Sequence, residues 1–352
     1  MKKISLIAVF LISLLIVLAS CKSNSNPAAP ATPTLIATAT LSATWTAVNT
    51  STMTPTITMT STQIDSPTAT ATATLTSTAT LVHPYMSQFG STGNLDTQFN
   101  YVTAMCHDEN DNLYIADQGV SRIKIYNSSG VFQSAWGTLG TADAEIQYPS
   151  GICYDGSSDI YISDAGNMCI KQFSKSGVFV RKFGSVSDFG GEPKNMTFKD
   201  GYLYVMGADK VAKYSPSGVL QTTIGTPGVG VGELSSCYSI HVDSSGNIYC
   251  GTVANAKIVQ YDSSGAFVRE WTQGWPASMA ADAAGNLMVA AAADNYVRIF
   301  STIGTYITQF GGYDTTSSGN GLFLQPYAIS VDSQGYVFVA DNSTDIVQKF
   351  DK

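Results

Sequence analysis

Short runs of alternating apolar and polar residues fill the chain from about residue 81 to its end. In the first part of this region they read "YVTAMCHD", "NLYIAD", "SRIKIY" and "GVFQSAWG", and each run is bounded by Asp, Asn, Ser or Gly. Period-two alternation with β-branched and aromatic residues predicts β-strands, and the bounding residues predict tight turns. No segment keeps a helical period beyond a turn or two, so we predict an all-β fold.

The strand runs recur in groups of four, and most groups end in an aromatic residue followed by glycine. The group ends are Phe89-Gly90, Trp136-Gly137, Phe183-Gly184, Ile224-Gly225, Trp271-Thr272 and Phe310-Gly311, at steps of 47, 47, 41, 47 and 39 residues. Four-stranded units of roughly 40 to 50 residues, repeated around an axis, are blades of a β-propeller.

The last group lacks its fourth strand. It begins at "QPYAISVD" and stops at Lys352 after "DIVQKF", whereas the early stretch "YMSQFG" (Tyr85 to Gly90) resembles fourth strands such as "YITQFG". We therefore predict six four-stranded blades, with the N-terminal strand completing the C-terminal blade. This arrangement leaves no unpaired strand edge between the first and last blades.

The repeated motifs resemble those of the NHL-repeat family of six-bladed propellers. The second unit carries them as "YPSGICYD", "DIYISDAGNMCIKQF" and "SGVFVRKFG", and the sixth as "QPYAISVDSQGYVFVADNSTDIVQKF". The resemblance covers residues 81–352 and implies an NHL-type propeller over that range.

A carboxylate recurs at the end of the second strand in three units. It is present as Asp117, Asp164 and Asp341, and its place is taken elsewhere by Gly207, Thr252 and Ala291. We interpret these acids as structural, because a short carboxylate there accepts nearby backbone N–H groups. In the first unit we expect Asp117 to pair with Arg122 across the loop. Units three to five are degenerate.

The first 80 residues differ in character. Lys2 and Lys3 precede an apolar run from Ile4 to Val17, which predicts a signal peptide over residues 1–20. The following "LASC" resembles the bacterial lipoprotein cleavage box, which implies cleavage before Cys21 and acylation of its thiol. Residues 21–80 are mostly Thr, Ala, Ser and Pro and predict a disordered stalk, of the kind that is often O-glycosylated.

These features predict an exported protein that a lipid holds on the periplasmic or cell-surface side of a bacterial membrane. The residue after Cys21 is Lys22 rather than the Asp that resembles an inner-membrane retention signal, which favours the outer membrane.

Charge limits the partners. The charged residues outside residues 81–352 are Lys2, Lys3, Lys22 and Asp65. Residues 81–352 therefore hold 15 of the 18 Lys and Arg and 25 of the 26 Asp and Glu, which gives a net charge of about −10. Nucleic-acid binding needs a basic face, so we expect none. We expect a monomer.

Residue types that carry catalysis are scarce. His107 and His241 lie on first strands in registers that differ by one, which places them on opposite strand faces. The three-His zinc site of lyases that share this propeller plan therefore lacks its ligands. The turns "DENDN", "DSSGN" and "DAAGN" lack the terminal Glu of a calcium loop and match hairpin turns. We predict no catalytic residue and no metal ligand.

The five cysteines after Cys21 fall where strands place small apolar residues, and we interpret them as packed side chains. Cys106 and Cys153 occupy equivalent positions in neighbouring units, which leaves a disulfide between them open.

Recognition is expected on one face of the ring. The loops from fourth to first strands and from second to third strands share this face, and loops on a rigid scaffold are the usual place for binding. The former run from Thr138 to Tyr148, Ser185 to Glu192, Thr226 to Ser236, Gln273 to Trp275 and Gly312 to Gln325. The candidate ligand-binding residues, near the starts of the innermost strands, are Tyr148, Lys194, Asn195, Tyr238, Trp275, Gln325 and Tyr327.

Two functional classes follow. The resemblance to sensor-type NHL domains implies a membrane-anchored propeller that binds a protein, peptide or glycan without catalysis. The alternative is a calcium-dependent lactonase or esterase like those of related six-bladed rings, which use Glu, Asn and Asp ligands around the channel. Among equivalent inner-strand positions Asn195 alone fits, since its counterparts are Ala104, Gly151, Ser239, Ser278 and Ala328. We prefer binding, with no cofactor. A purely structural spacer is the third alternative.

Overall fold

The computed structural model describes residues 83–313 and 320–352 and, before them, the backbone of three strands. These are β1 (Ser42–Ala47), β2 (Met53–Thr60) and β3 (Thr72–Thr76), which form one antiparallel sheet in the order β1-β2-β3. The predicted signal peptide and Cys21 lie outside the described residues.

Six antiparallel four-stranded sheets, the blades, account for the remaining long strands. The chain enters through β4 (Tyr85–Phe89). Blades 1 and 2 consist of β5 (Val102–His107), β6 (Leu113–Asp117), β7 (Arg122–Tyr126) and β8 (Phe132–Trp136), and of β9 (Pro149–Tyr154), β10 (Asp159–Asp164), β11 (Cys169–Ser174) and β12 (Phe179–Phe183). Blade 3 consists of β13 (Met196–Lys199), β14 (Tyr202–Met206), β15 (Val211–Tyr214) and β16 (Leu220–Ile224).

After blade 3, the two-residue strands β17 (Thr226–Pro227) and β18 (Glu233–Leu234) pair in parallel within one loop. Blades 4 and 5 consist of β19 (Cys237–Val242), β20 (Ile248–Thr252), β21 (Lys257–Tyr261) and β22 (Phe267–Thr272), and of β23 (Pro276–Ala281), β24 (Leu287–Ala291), β25 (Tyr296–Phe300) and β26 (Tyr306–Gly311). Blade 6 consists of β27 (Pro326–Val331), β28 (Val337–Asp341), β29 (Ile346–Phe350) and β4.

The six blades form a ring. Their innermost strands β5, β9, β13, β19, β23 and β27 are neighbours in this order, and β27 also lies against β5. The N-terminal strand β4 is the fourth strand of blade 6, with Phe89 opposite Val347 and Tyr85 opposite Phe350. The six-bladed propeller predicted from the repeats is confirmed.

Burial follows the position of each strand in its blade. Second strands such as β6, β20 and β24 are buried along their whole length, whereas the fourth strands β4 and β12 expose their central residues. A strand that is covered by neighbouring blades on both faces needs apolar residues in consecutive positions, so strict alternation weakens there. Solvent exposure is greatest on the outer strands.

The hydrophobic core is divided into clusters between adjacent blades. Blades 1 and 2 share a cluster built on Ile123, Ile125, Ile152 and Ile162. Each of the remaining five pairs of neighbouring blades shares a corresponding cluster. A further cluster of aromatic residues draws on blades 1, 4, 5 and 6 at one end of the axis. Each blade is therefore stabilised by its two neighbours.

Helix is minimal in this part of the chain. One α-helical turn, α1 (Val186–Phe189), lies between blades 2 and 3, and two 3-10 turns, Gln118–Val120 and Ala165–Asn167, follow β6 and β10. Among the residues whose positions are described, no helix is long and apolar enough to cross a membrane. The recurrent glycine after the fourth strand has positive φ, as at Gly137 (95°), which explains its recurrence.

Candidate functional site

The first strand of most blades begins with an irregularity in register that sets one residue apart. In five blades the ladder skips a residue between two paired positions, as at Val102 and Ala104 in β5. The skipped residues are Thr103, Ser150, Tyr238, Ala277 and Tyr327. Such bulges re-aim a side chain at the edge of a sheet. Lys194 precedes β13 at the corresponding point of blade 3.

Small side chains at the bulge hold neighbouring blades together. The Thr103 hydroxyl donates to the Pro149 carbonyl at 2.7 Å, and the Ser150 hydroxyl donates to the Pro193 carbonyl at 2.7 Å. At the equivalent positions of blades 4 and 6 the chain has tyrosines instead. Their rings extend further than a hydroxyl and meet each other at the axis.

Aromatic residues meet at the axis of the ring, at the end where the innermost strands begin. The Tyr327 ring is fully buried, with its centroid 5.4 Å from that of Tyr101, 5.6 Å from Tyr238 and 6.1 Å from Trp275. The Tyr327 hydroxyl donates to the Tyr238 hydroxyl. Burial raises the pKa of both phenols above the ordinary value, so both remain protonated. These four residues form the aromatic plug.

Beside the plug lies a pocket of about 360 Å³, which we call the Trp275 pocket. Its lining residues are Glu192, Lys194, Ala208, Ser236, Cys237, Tyr238, Val253 and Trp275. They come from the starts of the first strands of blades 3, 4 and 5 and from the loops after β14 and β20. Both kinds of loop assigned to one face by the sequence therefore meet here, and we call this face the loop face.

An ion pair borders the Trp275 pocket. Lys194 Nζ lies 2.6 Å from Glu192 Oε2 and 5.5 Å from the centroid of the Tyr238 ring. A cation over an aromatic face is attracted by the ring's negative face. The ammonium is therefore already satisfied by a carboxylate and an aromatic ring, and the pair contributes no net charge to the pocket.

The Trp275 pocket coincides with the degenerate units. In blades 1, 2 and 6, the strand-end carboxylate accepts the backbone N–H of the loop residue opposite, as Asp164 does from Gln147 at 2.8 Å. Gly207, Thr252 and Ala291 carry no such carboxylate. The residues that follow the first two, Ala208 and Val253, line the pocket. The departures from the repeat pattern thus lie where the concave surface forms.

The prediction that Asp117 pairs with Arg122 is wrong. Asp117 Oδ2 lies 2.8 Å from Lys124 Nζ with both side chains fully buried, while Arg122 pairs with Asp96 at 2.6 Å near the surface. Arg122 and Lys124 are two residues apart on one strand and share a face, so both compete for the carboxylate. The lysine also donates to the carbonyls of Leu95 and Gln98, contacts that suit a compact ammonium beneath a loop.

Blade 2 repeats this arrangement. Lys171 Nζ lies 2.9 Å from Asp164 Oδ2 and donates to the carbonyls of Ala142 and Glu145 at 2.9 and 2.5 Å. In blade 6 the amide of Gln348 replaces the ammonium, donating to the Leu322 carbonyl and accepting from Gly321 N at 2.8 Å each. The strand-end acids Asp117, Asp164 and Asp341 are thus acceptors within structural clamps that hold the fourth-to-first loops.

The seven candidate binding residues separate into groups. Lys194, Tyr238 and Trp275 line the Trp275 pocket, and Tyr327 lies in the plug beside it. The other three lie apart. Tyr148 is 52% exposed with φ of 52°, Gln325 N donates to Asp341 Oδ1 at 3.1 Å, and Asn195 borders a cavity further along the axis.

That second cavity, of about 310 Å³, lies between the innermost strands on the far side of the plug. His107 and His241 both border it, with Cys106, Cys153 and Ser330 among the other lining residues. The ladders keep the histidines on opposite faces, since His241 matches Cys106 in register. Both nevertheless reach the cavity, because the innermost strand is an edge whose two faces adjoin the axis.

The histidines are held neutral. His107 Nδ1 lies 2.9 Å from Ser330 Oγ, and burial lowers the pKa of His107 and of His241 to about 4. Burial raises the pKa of the Cys106, Cys153 and Cys250 thiols, and all five cysteines in the described part of the chain are free. The disulfide left open for Cys106 and Cys153 is not formed.

The residues around the axis do not fit the calcium site that the enzyme alternative requires. Within 83–313 and 320–352, no group of three or more His, Cys, Asp and Glu side chains is placed to hold a metal ion. The Asp-rich hairpin turns bind their own backbone instead. Asp243 Oδ1, for example, accepts from Ser245 N at 2.8 Å and from Asn247 N at 2.9 Å, as the turn interpretation predicts.

Sequence reasoning missed part of the site. Tyr101 belongs to the plug, and Glu192, Ala208 and Val253 line the Trp275 pocket. Tyr101 could have been found by alignment, because it precedes its first strand as Trp275 precedes β23. The small residues carry no chemical signal and become visible only when three blades are placed side by side.

Comparison with known proteins supports the repeat assignment. Residues 147–173, which span most of blade 2, match the model of the NHL repeat. The protein is a six-bladed β-propeller with an NHL repeat. No curated protein matches the chain by sequence.

Solved structures similar to this propeller differ in function. Virginiamycin B lyase from Staphylococcus aureus aligns with a TM-score of 0.56 at 14% identity, covering 88% of this chain and 94% of the lyase. A protein of unknown function from Bacteroides thetaiotaomicron has a TM-score of 0.62 at 13% identity, with coverage of 88% and 86%. A gluconolactonase from Xanthomonas campestris has a TM-score of 0.55 at 13% identity, with coverage of 72% and 87%. At such identities the similarity concerns the fold alone.

Proposed function

We propose that this protein is an extracytoplasmic recognition propeller, anchored to a membrane through Cys21, that binds a protein, peptide or glycan through its loop face without catalysing a reaction. The observation that carries the proposal is the Trp275 pocket. It is a concave site with two aromatic walls, built where three consecutive blades lose the repeat pattern. Aromatic side chains on a rigid ring are preferred anchors for binding.

The anchoring rests on sequence features of residues 1–21. An apolar signal followed by "LASC" is the expected source of a lipid chain, and the low-complexity segment after it separates that lipid from the propeller. This display suits recognition of a partner in the cell envelope. It is tested by metabolic labelling with a radioactive fatty acid, where Cys21→Ser should abolish the label.

The binding proposal is tested with labelled protein and envelope preparations of the producing bacterium. We expect saturable binding that Trp275→Ala weakens at least about tenfold, since truncation of a buried aromatic anchor commonly costs 2 kcal/mol or more. Tyr306→Ala is the matched control, because Tyr306 is 52% exposed on an outer strand. Equal binding by both variants and the unmodified protein would place recognition elsewhere.

The lactonase or esterase alternative gains no specific support from the geometry. The gluconolactonase shares the fold, but Ala104, Gly151, Ser239, Ser278 and Ala328 supply no carboxylate at the positions that surround Asn195 on the ring.

A further inference from the structure

Several backbone N–H groups in the wall of the Trp275 pocket already have partners, whereas the buried indole Nε1 of Trp275 has none among the described residues. Cys237 N donates to the Ala208 carbonyl at 2.9 Å, and Val253 N donates to the Ser236 carbonyl at 3.1 Å. Lys194 and Glu192 satisfy each other. A ligand in the pocket therefore meets mainly the apolar surfaces of Ala208, Val253 and the aromatic rings.

This wall chemistry discriminates between ligand classes. A sugar ring would bury several hydroxyl groups against surfaces that offer few hydrogen-bond partners, and a buried hydroxyl without a partner weakens binding. An apolar or aromatic side chain gains free energy from the same burial. The volume of about 360 Å³ lies at the small end of ligand pockets, which suits one side chain rather than a longer segment.

The rim adds apolar surface beyond the pocket itself. The loop between β16 and β19 ends at Ser236 in the pocket wall, and it exposes Val229 by 66% and Val231 by 76%. Asn255 Nδ2 donates to the Val229 carbonyl at 3.5 Å, which ties this loop to the loop that carries Val253.

Charge indicates what flanks the inserted side chain. The segments 185–195, 207–210 and 226–236, which border the pocket, contain four acids and two bases. These are Asp188, Glu192, Asp209 and Glu233 against Lys194 and Lys210. Residues 81–352 as a whole carry the excess of acids calculated above. A basic partner is attracted to such a face, and an acidic one is repelled.

We propose that the Trp275 pocket anchors one apolar or aromatic side chain of a protein partner, presented between basic residues of that partner. This inference rests on the proposed function and specifies its ligand: the side chain fills the pocket, and the flanking Lys or Arg residues are attracted by the excess of acids in the bordering segments.

The test is selection of a random peptide library by the full-length, processed protein. Val253→Trp fills the pocket, and Val219→Trp, at a valine 58% exposed between β15 and β16, is its matched control. We expect the unmodified protein and the control to enrich peptides with one large apolar residue next to Lys or Arg. A selected peptide should bind Val253→Trp at least about tenfold more weakly.

A second pair of variants tests the charge without altering the pocket shape. Glu192→Lys should weaken a selected peptide, whereas Asp143→Lys, a similarly exposed acid in the loop after blade 1, should not. The second pair decides the question if Val253→Trp fails to fold. Enrichment of peptides that lack basic or apolar residues, or no enrichment at all, would overturn the inference.

A glycan array separates this inference from the proposed function. Glycan binding that Val253→Trp abolishes would overturn the side-chain ligand while supporting recognition at the pocket. Failure of the envelope experiment, together with no Val253-dependent binding to peptides or glycans, would overturn both.

Discussion

Two buried lysines act as structural cations in the propeller. Lys124 and Lys171 each join a buried aspartate to backbone carbonyls of the loop above, and both ion pairs are almost completely shielded from water. A charge in such a place is tolerated only when its hydrogen-bonding capacity is filled. The clamp therefore couples the end of a second strand to the preceding fourth-to-first loop.

Lys171→Met is expected to destabilise the propeller by about 3–5 kcal/mol, because it leaves the Asp164 carboxylate buried without its cation. Lys182→Met is the matched control in the same blade. Lys182 pairs with Asp143 at the surface, where solvent screens the ion pair, so its loss should change the free energy of unfolding little. Urea unfolding measures both. Equal effects of the two variants would show that burial of the ion pair adds nothing to stability. The double variant Asp164→Asn with Lys171→Met removes the unpaired carboxylate and should recover part of the lost stability.

Only half of this clamp could be predicted from the sequence. The recurring carboxylate at Asp117, Asp164 and Asp341 indicates an acceptor at the strand end. Its cation lies seven residues later, on the next strand, at Lys124 and Lys171. Whether Arg122 or Lys124 reaches the acid depends on which side chain fits beneath the loop, and a one-dimensional pattern does not contain that packing.

The two histidines that border the second cavity make the stability of the propeller depend on pH. Burial holds the pKa of His107 and His241 at about 4, against 6.5 for an ordinary histidine. The unfolded chain therefore binds more protons between pH 6.5 and 4, and the free energy of unfolding should fall as pH is lowered through that window. The charged neighbours are Asp108, Asp111 and Lys349 at His107, and Asp243 and Lys199 at His241.

This pH dependence is measured by urea unfolding at pH 7, 5.5 and 4. We expect a loss on the order of a few kcal/mol across the series. The double variant His107→Gln and His241→Gln should show a smaller slope over the same range. An unchanged slope in the double variant would assign the acid sensitivity to carboxylates instead.

At the scale of elements, the fourth-to-first loops are more constrained than their composition indicates. Short parallel pairings cross them, such as Thr92 with Phe99 and Leu139 with Ile146, and in each pair the second residue, Phe99 or Ile146, is fully buried. The glycine and serine content of these loops predicts conformational freedom, whereas one buried apolar residue in each loop restricts it. The concave site consequently lies at the inner ends of the loops, beside the axis.

The N-terminal strand provides the prediction at this scale. A chain that begins at residue 93 lacks β4 and leaves β29 and the neighbouring blade uncovered. The deletion also removes two aromatic contacts. The ring centroids of Phe89 and Tyr126 lie 4.7 Å apart, and those of Tyr85 and Phe350 lie 6.2 Å apart. Both side chains are partly buried against the hydrophobic clusters that blade 6 shares with blades 1 and 5, and their loss also leaves an unpaired strand edge, so we expect aggregation or a strongly lowered melting temperature.

The matched control for this deletion is a chain that begins at residue 81, which keeps β4. It should melt as the full chain does. A monomer that begins at residue 93 and melts at the same temperature would show that β4 is dispensable for the ring.

At the scale of the whole molecule, the repeat determines how much the sequence reveals. Blade number, strand order and the role of β4 follow from spacing, because every unit repeats the same turns and strand ends. The Trp275 pocket does not follow, since it forms between blades 3, 4 and 5 at positions where the pattern fails. Lys194, Tyr238 and Trp275 were identifiable as residues near strand starts, but their convergence required the ring.

The same scale carries the test between recognition and metal-dependent catalysis. Six innermost strands present mostly small residues to one another around Asn195, and in the described part of the chain no set of acids or histidines converges there. We therefore expect the melting temperature after EDTA treatment to stay unchanged when calcium, and then zinc, is restored. A metal at 100 times its dissociation constant would add about 2.7 kcal/mol, which raises the melting temperature of a domain of this size by several degrees. A reversible rise of that size with calcium would make the lactonase or esterase alternative the leading one and direct work to lactone and ester substrates; an unchanged value leaves the loop face as the place to search for a partner.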